Sequence, residues 1–302
     1  MGIEKGGAEP ARAVVEAPAK LNVHLRVTGR RRDGYHELVS VMIPITLTDR
    51  VEVRPGPEGI ELSCTGRPVA GGEQNLVWRA AEAFLRRGRL GQGVSIHLHK
   101  RIPVAAGLGG GSSDAASTLL ALDRIWPGRL GREALFRTAL DLGADVPFFL
   151  SAVPALATGI GEVLERLDYW PNLWYVLIKP PIEISTAWVY GKLRIRLTTR
   201  ENDYIIAFLN KKDFSVAELL ENDLERVTET RFPVVAHLKQ ALLDAGAIGA
   251  LMTGSGPTVF GVFPTESEAQ AAARELVSRE SGDVFVTTNW VGERRTLQGS
   301  SA

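Results

Sequence analysis

Pro103-Val104-Ala105-Ala106-Gly107-Leu108-Gly109-Gly110-Gly111-Ser112-Ser113 joins a strand pattern to a helical one. Upstream, Val94, Ile96 and Leu98 alternate with Ser95, His97 and His99, which predicts a half-buried strand. Downstream, an Ala-rich run predicts a helix from about Asp114 to Ile125, stopped by Pro127-Gly128. Glycines let the main chain adopt positive φ and come close to a ligand. Successive N–H groups can then converge on one anion, with the positive end of the new helix behind them. Ser112 and Ser113 add hydroxyl donors, and Ala115, Ala116 and Ser117 keep the first turn open. A Walker A loop is excluded because no lysine precedes Ser112. A dinucleotide-binding turn is excluded because its third glycine position holds Ser112 and no second strand follows. A phosphate cradle is the functional reading; a plain flexible connection is the alternative.

Outward from this turn, Val14–Val27 and Glu37–Val53 read as strands around a polar turn, Arg30-Arg31-Arg32-Asp33-Gly34. Ile60–Ser63 is a short strand. Asn75 caps a helical stripe of Leu76, Ala80, Ala83, Phe84 and Leu90. Arg132–Leu142 reads as a helix ending at Gly143. Beyond Pro154, short strands (155–158, 174–178, 250–252, 259–262 and 284–287) alternate with helices near 234–245 and 267–281. The mixture without regular βαβ units indicates an α+β fold, with a domain boundary in the 150s. Both termini read as frayed polar segments.

The composition sets outer limits. Thirty-five Lys+Arg balance 35 Asp+Glu, which argues against binding nucleic acid or an acidic membrane by bulk charge. The single cysteine, Cys64, excludes an internal disulfide framework and a cysteine-built zinc site. No apolar run approaches the ~20 residues of a membrane span, and no signal-peptide core opens the chain, so a cytoplasmic protein is expected.

Three further features bear on chemistry. On a strand, Lys20, Asn22 and His24 share one face and Leu21, Val23 and Leu25 the other. The polar face can hold an anionic group or simply face water. Asp145 lies between Gly143 and the apolar run Val146-Pro147-Phe148-Phe149, where a carboxylate is partly buried and needs a partner or a raised pKa; a structural cap is the alternative. Thr253-Gly254-Ser255-Gly256-Pro257-Thr258 joins two short strands, either as a tight turn or as a second main-chain wall against the glycine loop.

Together, Pro18-x-Lys20-x-Asn22-x-x-Leu25, Gly107–Ser113 and Gly254–Thr258 resemble the GHMP kinase superfamily. Arg32–Leu38, Gly143–Phe149 and Asn222-Asp223-Leu224-Glu225 resemble its branch acting on a cytidine diphosphate-linked alcohol. The resemblance runs from about residue 13 to 292. It implies a GHMP kinase fold, with a ribosomal protein S5 domain 2-like ATP-binding domain (1–155) and a ferredoxin-like C-terminal domain (156–302). ATP phosphates would lie on Pro103, Val104, Ala105, Ala106, Gly107, Leu108, Gly109, Gly110, Gly111, Ser112 and Ser113, and the substrate in the cleft between the domains. Lys20 and Asp145 would be catalytic. Asn22, Tyr35, His36, Thr186 and Tyr190 would hold the substrate, with Tyr35, His36 and Tyr190 around the cytosine ring. Some family members carry glycines at the positions of Ala105 and Ala106. Magnesium would come with ATP, and no residue stands out as its ligand. The expected partners are ATP and the cytidine diphosphate-bearing substrate, without nucleic acid or membrane, in a monomer or weak homodimer. Another small-molecule kinase of the superfamily (for homoserine, mevalonate or a sugar) and a non-catalytic RNA-binding module are the alternatives. The RNA reading rests on the S5-like fold and on Arg30-Arg31-Arg32, a run that is more often a solvated turn.

Overall fold

The computed structural model describes residues 12–193, 205, 209 and 214–292, so most of both frayed-reading termini lies outside the described residues. The chain divides into two compact units, one formed by Met1–Ala17, Thr48–Arg101 and Gly110–Leu150, the other by Pro18–Leu47, Ile102–Gly109 and Ser151–Ala302. The long strands β1 (Ala13–Arg30) and β2 (His36–Gly56) contribute residues to both.

In the first unit, β4 (Gly93–Lys100) pairs antiparallel with Arg50–Gly56 of β2 and parallel with the edge strand β3 (Ile60–Gly66). Val94, Ile96 and Leu98 are buried, as the alternation predicts. Helix α1 (Leu76–Arg87) begins where Asn75 Oδ1 accepts the Val77 N–H at 2.9 Å. It buries Val77, Ala80, Ala81 and Phe84, one face at helical spacing. Helix α2 (Gly110–Ile125) starts four residues before the expected Asp114. Glycine is a poor helix former in an interior, but the first-turn N–H groups have no helical partner to lose, so Gly110 and Gly111 belong to the helix. Helix α3 (Arg132–Leu142) agrees with the sequence to the residue. The short α4 (Val146–Ser151) was not foreseen.

The second unit contains β5 (Ala155–Thr158), antiparallel to Ser40–Met42 of β2, and β6 (Val163–Arg166), antiparallel to β5. A four-stranded antiparallel sheet follows from β7 (Trp174–Lys179), β9 (Gly249–Met252), β10 (Val259–Phe263) and β11 (Asp283–Thr288), in the order β11-β7-β10-β9. That is the strand order of the ferredoxin-like β-α-β-β-α-β unit. Between β7 and β9 lie α5 (Thr186–Lys192), α6 (Val216–Leu219), the two-residue β8 (Glu221–Asn222), α7 (Asp223–Arg231) and α8 (Val234–Asp244). Helix α9 (Glu266–Arg279) opens with a capping box between Thr265 and Glu268.

One face of the four-stranded sheet (Val176, Ile178, Val259, Phe263) packs with Leu238 and Leu242 of α8 and Ala269, Ala272 and Leu276 of α9. The opposite face (Tyr175, Leu177, Phe260, Val262) joins a second core with Leu21, Val23, Val39, Val41 and Leu108. β1 thus sits inside the unit, with apolar neighbours on one side.

Candidate active site

The other face of β1 is buried as well. Lys20, Asn22 and His24 are each 3–4% exposed, so the solvated-face reading is overturned. A charge placed there must be paired and hydrogen-bonded. Lys20 Nζ donates to Asn22 Oδ1, Asn22 Nδ2 donates to Ser40 Oγ at 2.7 Å, and Ser40 Oγ donates in turn to the His24 carbonyl at 2.7 Å. The Asn22 main-chain N–H donates to Thr253 Oγ1 at 2.9 Å. The amide of Asn22 is therefore fixed with its oxygen toward the lysine.

Thr253 opens the second glycine turn, and that turn lies directly on the polar pair. A Cβ built on Gly254, whose φ is +57°, would stand 3.4 Å from Lys20 Nζ and 3.3 Å from Asn22 Oδ1. The two glycine segments also meet. Gly107 has φ +77°, and a Cβ there would run into the Thr253 carbonyl and lie 3.2 Å from Gly256 N and O. The Leu108 carbonyl accepts the Lys20 N–H at 3.0 Å. Thr253–Thr258 is thus the tight turn between the antiparallel β9 and β10, and it also packs against Gly107 of the glycine loop. Across the same turn, Thr186 and Ser255 share a hydrogen bond of 2.8 Å between their hydroxyls.

Asn222-Asp223-Leu224-Glu225 carries no task legible from the sequence, but the structure gives it one. Asn222 Nδ2 donates to the carbonyls of Met252 (2.7 Å) and Gly254 (2.8 Å), while its Oδ1 caps α7 at the Leu224 N–H, 3.0 Å. Asp223 accepts the Val27 N–H at 2.8 Å, and Glu225, paired with Lys239, accepts the Met252 N–H at 2.7 Å. The motif clamps β1 and the glycine turn. Asn222→Ala is expected to lower stability by about 2 kcal/mol, since it removes a cap and leaves two buried carbonyls unpaired. A urea melt checks this; an unshifted midpoint contradicts the clamp.

On the same unit, His36 and Tyr190 stand ring against ring, with centroids 5.0 Å apart and planes at 31°. That spacing is direct contact, so these two rings do not themselves flank a base. Tyr35 is 58% exposed at the edge of the polar turn, where Arg31 pairs with Asp33 at 3.1 Å. Burial, aided by the charge of Arg30, holds His36 below the usual imidazole range. At neutral pH it keeps one donor and one acceptor.

Along the glycine loop, Pro103 and Ala106 are buried, while Val104 and Ala105 are exposed. Ala105 adopts φ +51° and Gly109 φ +69°. The left-handed turn at Ala105 is a conformation that glycine would take without steric cost.

In the first unit, Gly110 is buried and Gly111 exposed at the start of α2. Ser112 is half-buried; Ser113 is fully buried, and its Oγ has no hydrogen-bond partner. Asp145 is half-buried immediately before α4, with the Val146 N–H turned back to the Gly143 carbonyl at 3.1 Å. Beneath α2, Lys100 binds two buried carboxyls, Asp49 and Asp114. This cluster was missed, although Lys100 continues the inward row of Val94, Ile96 and Leu98 and was legible as a buried lysine. Among the described residues no group of three or more His, Cys, Asp or Glu is arranged to hold a metal ion, and no helix is long and apolar enough to cross a membrane.

One unit thus holds a glycine turn beside a buried lysine–asparagine pair, and the other a half-buried aspartate, the features that carry the GHMP kinase resemblance. Family models agree: GHMP kinases N terminal domain matches residues 75–152 and GHMP kinases C terminal matches residues 200–281. The chain belongs to the GHMP kinase family. Within it, the chain is 48% identical to 4-diphosphocytidyl-2-C-methyl-D-erythritol kinase of Syntrophotalea carbinolica, over 89% of this chain and 96% of that one. A crystal structure of 4-(cytidine 5'-diphospho)-2C-methyl-D-erythritol kinase superposes with a TM-score of 0.78 at 36% identity, covering 92% of this chain and all of that one. Homoserine kinase from Cytophaga hutchinsonii shares the fold at 20% identity, with a TM-score of 0.73 over 94% of this chain and 96% of its own. The expected α+β GHMP kinase fold is the fold of this chain.

Proposed function

We propose that this chain transfers the γ-phosphoryl group of ATP to the 2-hydroxyl of 4-diphosphocytidyl-2-C-methyl-D-erythritol, an activity in isoprenoid precursor synthesis. The observation that carries the reading is the buried Lys20–Asn22 pair roofed by the Gly254 turn, in a chain whose relatives bear that enzyme's name. In the transfer, the acceptor oxygen forms a bond to the γ-phosphorus while the bond to the β,γ-bridging oxygen breaks and ADP departs. Such a step asks for alignment and charge neutralisation more than covalent help. Asp145 orients the hydroxyl and takes its proton; Lys20 offsets charge as the acceptor oxygen develops it. Main-chain N–H groups of Val104 to Ser113 hold the triphosphate, and Pro103, which has no N–H, opens the loop. Magnesium would arrive with the nucleotide and neutralise phosphate charge, keeping most of its waters as its reluctance to dehydrate requires. The assigned division of labour is ATP binding in residues 1–155 and the ferredoxin-like part in 156–302.

For the base, Asn22 and Thr186 line the substrate side, Tyr35 supplies an aromatic face opposite Tyr190, and neutral His36 satisfies a polar edge. Tyr35→Ala is expected to raise KM for the cytidyl substrate about tenfold through loss of one stacking face, with KM for ATP unchanged. Equal shifts in both constants would mean that the pocket is misassigned. The decisive assay compares ADP release with the diphosphocytidyl substrate and with the same alcohol lacking cytidine. A large preference for the former is expected; equal rates would refute nucleobase recognition.

A further inference from the structure

Lys100 ends the inward row of β4 and is 3% exposed. Its ammonium donates to Asp49 and, at 2.7 Å, to Asp114 Oδ2. Asp49 is wholly buried and also accepts the Arg101 main-chain N–H at 2.5 Å. Asp114 follows Ser113 in α2, is 2% exposed, and has no hydrogen-bond partner on Oδ1. Lys100 thus bridges two carboxyls in a dry place. With both ionised, the cluster carries a surplus negative charge, and an uncompensated buried charge costs several kcal/mol. A proton is the cheapest remedy. Asp49 has the richer set of donors, so the proton falls to Asp114.

The electrostatics agree. Burial pushes Asp114 up to about 8, Asp49 adds to the effect, and Lys100 opposes it. Cys64 on β3 also feels the cluster: its thiol is raised by burial and by Asp114, and therefore stays uncharged at neutral pH. The Arg101 side chain is exposed, and only its main-chain N–H engages Asp49.

We infer that the Asp49–Lys100–Asp114 cluster carries a proton as well as an ammonium, and that this neutrality lets the first turn of α2 receive phosphate. The inference rests on the cradle reading above. A helix N-terminus offers about half a positive charge. A full negative charge on the residue after Ser113, inside a poorly screened interior, would cancel that attraction. Asp114 is therefore a positioning residue: it touches no phosphate and acts through the charge of the turn that does.

The test is the affinity for a non-hydrolysable ATP analogue with magnesium, measured calorimetrically across neutral to alkaline pH in the wild type and in Asp114→Asn. In the wild type the dissociation constant should be flat at neutral pH and climb toward about tenfold per pH unit above the titration of one group. In the asparagine variant, neutral at every pH, that climb should vanish. Parallel profiles in the two proteins, or a flat wild-type profile, would overturn the inference while leaving the cradle intact. No binding by the wild type at any pH would remove the cradle itself and the inference with it. Should Asp114→Asn fail to fold, carbon NMR of labelled wild-type aspartates decides: a protonated Asp114 at neutral pH supports the inference, and an ionised one overturns it.

Discussion

Asp145→Asn is expected to cut kcat by about 10²–10⁴-fold while KM for ATP stays near its wild-type value. The amide matches the carboxylate in size, so the turn from Gly143 into α4 and the buried run Val146–Leu150 keep their packing. What the amide lacks is the ability to take a proton. An interaction used only as the acceptor hydroxyl reacts lowers kcat and kcat/KM together and leaves ground-state nucleotide binding alone. Steady-state ADP release, paired with binding of an ATP analogue, separates these outcomes. Turnover at the wild-type rate would remove Asp145 from the mechanism.

Gly107→Ala should abolish nucleotide binding and lower stability by about 3 kcal/mol or more. Two costs combine. At φ +77° an L side chain pays about 1–2 kcal/mol for left-handed backbone. The added methyl also collides with the Thr253 carbonyl, which is main chain and held by the Thr253–Thr258 and Gly256–Thr253 hydrogen bonds, so it cannot swing away as a side chain would. Gly128→Ala is the control: its φ is +74°, but nothing lies within 4 Å of the new methyl. That variant should pay the backbone cost alone and bind the ATP analogue normally. Equal behaviour of the two would mean that the contact between the glycine turns is dispensable.

The sequence was most informative where one physical rule dominated. Arg132–Leu142 is an amphipathic run closed by glycine, and the helix ends where that rule says. The half-buried β4 follows from strict alternation. The short elements between β7 and β9 were not legible, because segments such as Val216–Leu219 and Glu221–Asn222 are too brief to show a period. Burial on both faces of β1 was also hidden. Alternating polar residues ordinarily mark a wet face, and nothing local reveals that Ser40 and Thr253 supply the partners that keep Asn22 dry. Conversely, Lys100 was readable in register with three buried apolar residues and passed over, since a lysine at a strand end usually reaches water.

The hydroxyl of Thr253 meets the main chain of Asn22 across 231 positions of sequence. Contacts of such separation form late, after the entropy of closing a long loop has been met. A nascent polypeptide leaving the ribosome therefore carries Lys20 and Asn22 long before the Thr253 turn that covers them has been made. Proteolytic removal of the segment that carries Thr253 and Gly254 would uncover the Lys20–Asn22 pair while leaving both residues in the chain.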